Sequence, residues 1–351
     1  MTQETGLSKR YSDLAVYRQC FLEEAWDAAE LTLPFILPRN ATYNQTLPTP
    51  YQGVGARGIN NLTAKLLLTL FPPNSPFFKF QIDDFTLEEL QQQRAPVEEG
   101  LNSMERAVMD EIEGKAMRVP LNECIRHLLI TGNAVLHVEK DNTVRVFHLD
   151  QYVVRRDPQG KVLEIIVKEK MSRELYKEIF KTSPPSETDT SADGNEKELS
   201  LYTSVKRIDK KIKVRQEVND KRIPGTDSEY PLEKTPWLAL RYNAIDGEDY
   251  GRGFIEEYLG DLKTVEGLSK AIIKGTAAAA KVLFLVKPNG TTKMRTISNA
   301  PNLAVRQGNK DDVTVVQVEK FSDFRVARET MEGVERRLAA AFLLNQSVQR
   351  D

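Results

Sequence analysis

Three absences narrow the reading of this 351-residue chain before any motif is considered. Cysteine is nearly missing: Cys20 and Cys124 stand alone and far apart, which excludes a disulfide framework and suits a reducing compartment. Net charge is nearly missing, at −2 from 49 basic and 51 acidic residues. A sequence-specific DNA-binding domain ordinarily carries a basic excess, because phosphate neutralisation supplies most of its affinity. Long apolar runs are the third absence. Residues 64–71 are too few to span a bilayer, and 272–286 is interrupted by Lys274 and Lys281. The polar stretch 2–11 has no apolar centre, so no signal peptide is expected and cytosolic synthesis follows. Neither a Gly-x-Ser-x-Gly elbow nor a Gly-Lys-Ser/Thr phosphate loop occurs.

What is present suits a soluble α+β protein of two domains, with 40% hydrophobic and 28% charged residues. Apolar spacing predicts helices over Leu14 to Leu31 and Tyr51 to Leu70, separated by a Pro-rich run from Leu33 to Pro50. A third helix carries Val97, Leu101, Met104, Val108 and Ile112 on one face, and a fourth runs from Pro120 to Ile130 and stops at Gly132. Strands are expected over Ala134 to Glu139, Val144 to Leu149, Tyr152 to Arg156, Val162 to Lys168, Leu199 to Ile208 and Lys211 to Val218. The polar stretch Ser183 to Asn195 reads as a mobile loop that proteases would cut first.

The last hundred residues have a different texture. After Tyr250-Gly251-Arg252-Gly253 comes a helix with apolar side chains at Ile255, Leu259, Leu262, Val265 and Ile272. A basic β-containing segment follows, and then a second helix from Ser322, its expected N-cap, with Phe324, Ala327, Met331, Val334, Leu338 and Ala341 in a packing seam. The pairs Arg325–Glu329 and Glu332–Arg336 are four apart and support that helix. This is an antiparallel hairpin, and its seam needs a partner, which copies of itself in a closed ring would supply.

Other motifs are weaker. The Gly53-Val54-Gly55-Ala56-Arg57-Gly58 spacing fits a dinucleotide fingerprint but follows a Pro-rich loop with no βαβ unit, so tight helix packing is the better reading. Cys124 and His127 lack a second ligand pair, and neither a metal nor a cofactor is expected. Asp246, Glu248 and Asp249 fit an acidic turn, with a metal-dependent nucleic-acid-processing enzyme as the alternative. An α+β protein with an oligomerisation hairpin and no DNA role is a third reading.

Four collinear segments carry a resemblance: Gly53-Val54-Gly55-Ala56-Arg57-Gly58-Ile59-Asn60-Asn61-Leu62, Gly247-Glu248-Asp249-Tyr250-Gly251-Arg252, Ile255-Glu256-Glu257-Tyr258-Leu259-Gly260-Asp261-Leu262 and Leu344-Asn345-Gln346-Ser347-Val348-Gln349-Arg350. Together they resemble the head-to-tail connector, or portal, proteins of short-tailed double-stranded DNA phages (podoviruses). The resemblance implies a non-enzymatic homododecamer at one capsid vertex of the virion, with DNA passing inward during packaging and outward during ejection. It implies terminase, tail adaptor, major capsid and scaffolding proteins as partners. It also implies a wing over 1–252, a first stem helix over 253–280, a clip over 281–320, a second stem helix over 321–343 and the start of a tunnel loop over 344–351; the family's crown would follow, and the sequence departs from that pattern by stopping at Asp351. On that frame Arg325, Arg336, Gln346, Gln349 and Arg350 are expected at the DNA channel. Lys287, Lys293, Arg295, Arg306 and Lys310 would form a docking surface on the clip, and Phe324, Met331, Val334 and Leu338 would pack the ring. Residues 281–320 hold seven basic side chains against three acids, a net of +4 that leaves −6 for the remainder. Sparse basic residues would let a duplex move, where dense ones would hold it.

Overall fold

The computed structural model of the chain describes residues 6–39, 46–73, 75–82, 94–183, 198–279, 283–301, 304–305, 307–316 and 321–344. It mixes helices with antiparallel sheets. Helix α1 (Leu7–Glu30) starts seven residues before the predicted point, because Leu7, Tyr11 and Leu14 pack against Val153, Ile166 and Tyr202. Arg18 is buried on the same face. Its Nη1 donates to the carbonyls of Leu149 (3.0 Å), Asp150 (2.9 Å) and Tyr152 (2.6 Å), so the cation fastens α1 to the sheet layer. Helices α2 (Val54–Leu70), α3 (Arg94–Gly114) and α4 (Arg118–Thr131) follow. Helix α4 ends on Gly132 in the left-handed region (φ +74), the stop that glycine permits.

Strands β1 (Asn133–Val138) and β2 (Val144–Phe147) form a three-stranded antiparallel sheet with β9 (Trp237–Arg241), in the order β2-β1-β9. The larger sheet is six-stranded: β3 (Tyr152–Arg156), β4 (Val162–Met171), β5 (Leu199–Ile208), β6 (Lys211–Val218) and β7 (Lys221–Arg222) run in order, and β8 (Ser228–Pro231) also pairs β6. Short helix α5 (Arg173–Phe180) is capped by Ser172, whose Oγ accepts from Leu175 N–H, and buries Tyr176 on this sheet. Apart from Ser183 itself, the predicted mobile loop lies outside the described residues.

Beyond β9 come α6 (Phe254–Glu257), α7 (Leu259–Ala279), β10 (Leu283–Val286), α8 (Met294–Ser298), β11 (Val313–Val316) and α9 (Phe321–Ala341). The first long helix is therefore interrupted at Tyr258 rather than continuous from Gly253. Ser322 lies inside the first turn of α9 rather than ahead of it. One core runs through α1, α2, α4, both sheets and the base of the α7/α9 pair, joining Leu22, Ile59, Leu129, Val167, Leu262 and Leu338. Among the described residues no helix is long and apolar enough to cross a membrane.

Candidate functional site: the helical hairpin and its anchor

The hairpin is built level by level from facing residues on α7 and α9. Near its base Arg337 Nη2 meets Asp261 Oδ1 at 2.9 Å. Halfway along, Ser269 Oγ lies 3.2 Å from Met331 Sδ. Toward the tip Phe324 lies on Gly275, where a Cβ would come to 2.5 Å from the ring. As residue numbers rise on one helix they fall on the other, so the pair is antiparallel. Leu262, Val265, Val334 and Leu338 close the base against Phe342 in the main core, whereas Ile273 (52% exposed) and Val326 (60% exposed) leave the distal half uncovered.

Helix α2 grips this base at two points. The backbone N–H groups of Tyr51 and Gln52, just ahead of α2, donate to Glu266 Oε2 on α7 at 2.9 and 3.2 Å. Further along, Asn61 Nδ2 donates to Phe342 O (2.9 Å) and Lys65 Nζ to Leu343 O (2.8 Å), which satisfies carbonyls left open at the end of α9. The glycines of the fingerprint-like segment serve this packing. A Cβ on Gly55 would collide with the Leu31 carbonyl, and one on Gly58 with the Phe342 ring. The tight-packing reading of that motif holds.

The anchor is a crossing of three backbones at Gly132, Gly251 and Gly253. A Cβ on Gly132 would stand 2.5 Å from the Arg252 carbonyl carbon, one on Gly251 2.8 Å from Gly132 O, and one on Gly253 2.7 Å from Ile130 O. Buried Asn133 closes the crossing: its Oδ1 accepts from Gly251 N–H (2.7 Å) and its Nδ2 donates to Gly251 O (2.8 Å). Tyr250 is buried beside it, and its hydroxyl accepts from Val154 N–H at 3.0 Å. Burial pushes that hydroxyl's pKa well up, so it stays protonated. Arg252 ties the junction electrostatically, reaching Glu24 (2.7 Å), Glu248 (2.9 Å) and Glu256 (3.0 Å) from a position over the Phe21 ring. Burial, reinforced by Glu24, raises the Glu256 carboxyl despite the arginine.

The tip holds the β10/β11 pair and a buried Asp312, whose carboxylate accepts from Thr292 N–H (3.1 Å) and Thr291 Oγ1 (3.0 Å). Lys287, Lys293, Arg295 and Lys310 are exposed around it. Arg306 lies outside the described residues, as do Gln346, Gln349 and Arg350. Arg325 and Arg336 are exposed on α9. Arg336 approaches Glu332 at 3.9 Å, but Arg328 holds the same carboxylate at 2.8 Å, and among the described residues the Arg325–Glu329 pair is not formed. Of the proposed ring-packing set, Val334 and Leu338 are buried within the chain's own core and Met331 packs partly against it. These side chains are occupied from inside, because the hairpin base folds back onto α2.

The acidic turn and the histidines have structural partners. Asp249 Oδ1 accepts from Arg156 N–H at 2.6 Å and Glu248 pairs with Arg252, so these two carboxylates are committed to the anchor. Among the described residues no three His, Cys, Asp or Glu side chains converge as a metal site. Burial raises the Cys124 thiol to about 12 and lowers His127 from 6.5. His127 stacks on His148, with ring centroids 6.0 Å apart, and His148 pairs with Asp150. Because the folded His127 value lies below the unfolded one, unfolded chains bind an extra proton between the two. Its contribution is complete above pH 6.5 and is lost as pH falls from there toward the folded value. Melting temperature should therefore decline below pH 6.5, and His127→Asn should shallow that decline; an unchanged slope would remove His127 as its source. Half-buried His137 has the same sign and would keep part of the slope.

The comparisons with known proteins agree along nearly the whole chain. A family model described as bacteriophage head to tail connecting protein matches residues 4–351. The portal protein of Enterobacteria phage T3 is 36% identical over 362 residues, covering 99% of this chain and 66% of that protein. For the portal protein of Escherichia phage T7 the identity is 34% over 359 residues, again 99% of this chain and 66% of the relative. The portal protein of Enterobacteria phage SP6 is 26% identical over 354 residues, 99% of this chain and 68% of its own length. The chain thus spans about two thirds of the length of these relatives. The model match over 4–351 places the molecule: this chain belongs to the bacteriophage head to tail connecting protein family.

Proposed function

We propose that the chain is a portal subunit, one member of a ring in the virion that joins head to tail and passes double-stranded DNA without catalysing a reaction. The observation that carries this reading is the match to phage portal proteins over 99% of the chain at 36% and 34% identity. On this reading residues 1–252 are the wing, α7 and α9 the stem and the β10/β11 tip the clip. Terminase, tail adaptor, capsid and scaffolding proteins are the partners, and the count of twelve copies comes with the family. The hairpin's physical form supports it. Its base is welded to the body while its distal half leaves Ile273 and Val326 uncovered, as a wall built from repeated hairpins requires. Exposed Arg325 and Arg336 would meet the duplex weakly and only as a repeated set, since each faces water and Arg336 also lies near Glu332.

Electron microscopy of the purified protein should show rings with a central hole, and only non-annular particles would defeat the proposal. In a DNA-packaging assay, shells carrying Arg325→Gln, Arg336→Gln and Arg350→Gln together should assemble normally and move DNA at a changed rate. Unchanged transport would remove these residues from the channel wall. Tight, sequence-selective duplex binding by the isolated monomer would defeat the conduit reading.

A further inference from the structure

The outward face of α4 carries a cleft of about 710 Å³ that the hairpin does not use. Phe35, Leu67 and Val119 give it an apolar rim, and Arg126, His127 and His148 line it more deeply. Two buried polar atoms of these residues, Arg126 Nε and His127 Nδ1, have no hydrogen-bond partner. His127 is 1% exposed, so an unmatched nitrogen there is a standing cost unless an acceptor or donor reaches it from outside. Glu123 also lines the cleft, but it lies 3.9 Å from the other ring nitrogen, Nε2. Arg118 is committed to Glu113 and to the carbonyls of Phe71 and Pro72. Phe35 and Val119 are exposed large apolar side chains on the rim.

The same chain presents a surface of opposite character. Helix α1 is fixed to the core through Leu14, Arg18 and Leu22, so its other face is held rigidly outward. That face carries Asp13, Val16, Tyr17, Cys20 and Glu23, all exposed and spaced as one helical stripe. Val16 and Tyr17 are 73% and 72% exposed, unusual for adjacent large apolar residues on a well-ordered helix. Acids stand at both ends of the pair. An apolar pair flanked by carboxylates is the complement of an apolar rim over unmatched cationic and imidazole nitrogens.

We propose that, in the ring, the outward face of α1 from one copy seats in the α4 cleft of the next, with Val16 and Tyr17 on the apolar rim and one of the flanking carboxylates, Asp13 or Glu23, toward Arg126 and His127. This rests on the ring reading above and adds the identity of the two surfaces. Because the patches differ, the contact is head-to-tail: it propagates around a ring and does not stop at a pair.

The native thiol gives a direct test. Cys20 is exposed on the proposed face, while Cys124 is buried and its thiol is pushed up to about 12, so only Cys20 should react near neutral pH. Val119→Cys places a second thiol on the opposing rim. With a short bis-maleimide, this variant should give a ladder of covalent oligomers beyond the dimer, lost when Cys20→Ser is added. Rings without a ladder, or cross-linking that stops at dimers, would overturn the docking surfaces while leaving the ring in place; absence of rings in the unmodified protein would overturn both. Tyr17→Asp alters only an exposed side chain, so folding should persist. It should raise the protein concentration for half-assembly on the order of tenfold, and unchanged assembly would equally overturn the contact.

Discussion

Replacing Leu338 with aspartate is expected to unfold the base of the hairpin rather than merely to loosen contacts between copies. Leu338 is 0% exposed and shares the core with Leu262, Val265, Val334 and Phe342. Removing its side chain would cost about 2–5 kcal/mol through lost burial and the cavity left behind. A carboxylate at the same place adds an unpaired buried charge, so the total loss should exceed about 4 kcal/mol, a large fraction of a typical folding free energy. Urea denaturation of the dissociated chain would read it, and a midpoint close to wild type would show that Leu338 is not packed as described. Leu338→Met keeps volume and polarity and should cost less than about 1.5 kcal/mol. Val326→Asp makes the complementary test on the same helix. Val326 is 60% exposed, so stability should move by no more than about 0.5 kcal/mol while ring assembly weakens. The two aspartates thereby separate packing within a copy from packing between copies.

Periodicity made α9 legible because its stripe of threes and fours survives in the folded chain. It could not say what the stripe faces: the same spacing serves a neighbour or the chain's own body, and Phe342, which settles the matter at the base, lies beyond the seam. Strands β5 and β6 were visible as local alternation between turn residues, and β3 as a short β-rich run. Strand β9 was not, because Trp237–Arg241 is short and pairs with β1 about a hundred residues earlier, a contact that no local pattern encodes. Helix α1 was read late for a related reason. Gly6 offers no side-chain cap, and the first turn is held by the sheet beneath Leu7 and Tyr11. One of the four collinear motifs contains Tyr250, Gly251 and Arg252 of the anchor, but it does not show their partners. Gly132 and Asn133 precede Gly251 by more than a hundred residues, and one signal for them was present: a glycine stop followed at once by Asn at the head of a buried strand.

The anchor supplies the second large effect, through Gly132→Ala. Gly132 sits at φ +74, where an L side chain is disfavoured by about 1 kcal/mol, and the new methyl would stand 2.5 Å from the Arg252 carbonyl carbon and 2.6 Å from Gly253 N. Both neighbours are backbone, so no side chain can swing aside. Relief requires the segment to part from α4, which would break both Asn133 bonds to Gly251 and strain the Asn243–Arg252 bridge. The expected loss is about 3 kcal/mol or more. Gly267→Ala provides the contrast: it lies in α7 with nothing within 4 Å of its added Cβ, so there alanine should stabilise the helix by about 0.5–1 kcal/mol. Hydrogen exchange would show where the Gly132 effect acts. Amides of α6 and the first turns of α7 should exchange faster in Gly132→Ala, while those of β5 and β6, in the sheet beyond the crossing, keep their protection. Uniform acceleration would mean that the crossing supports the whole body and not the junction alone. Unchanged protection at α6 would mean that the glycine crossing is not what fixes the hairpin to it.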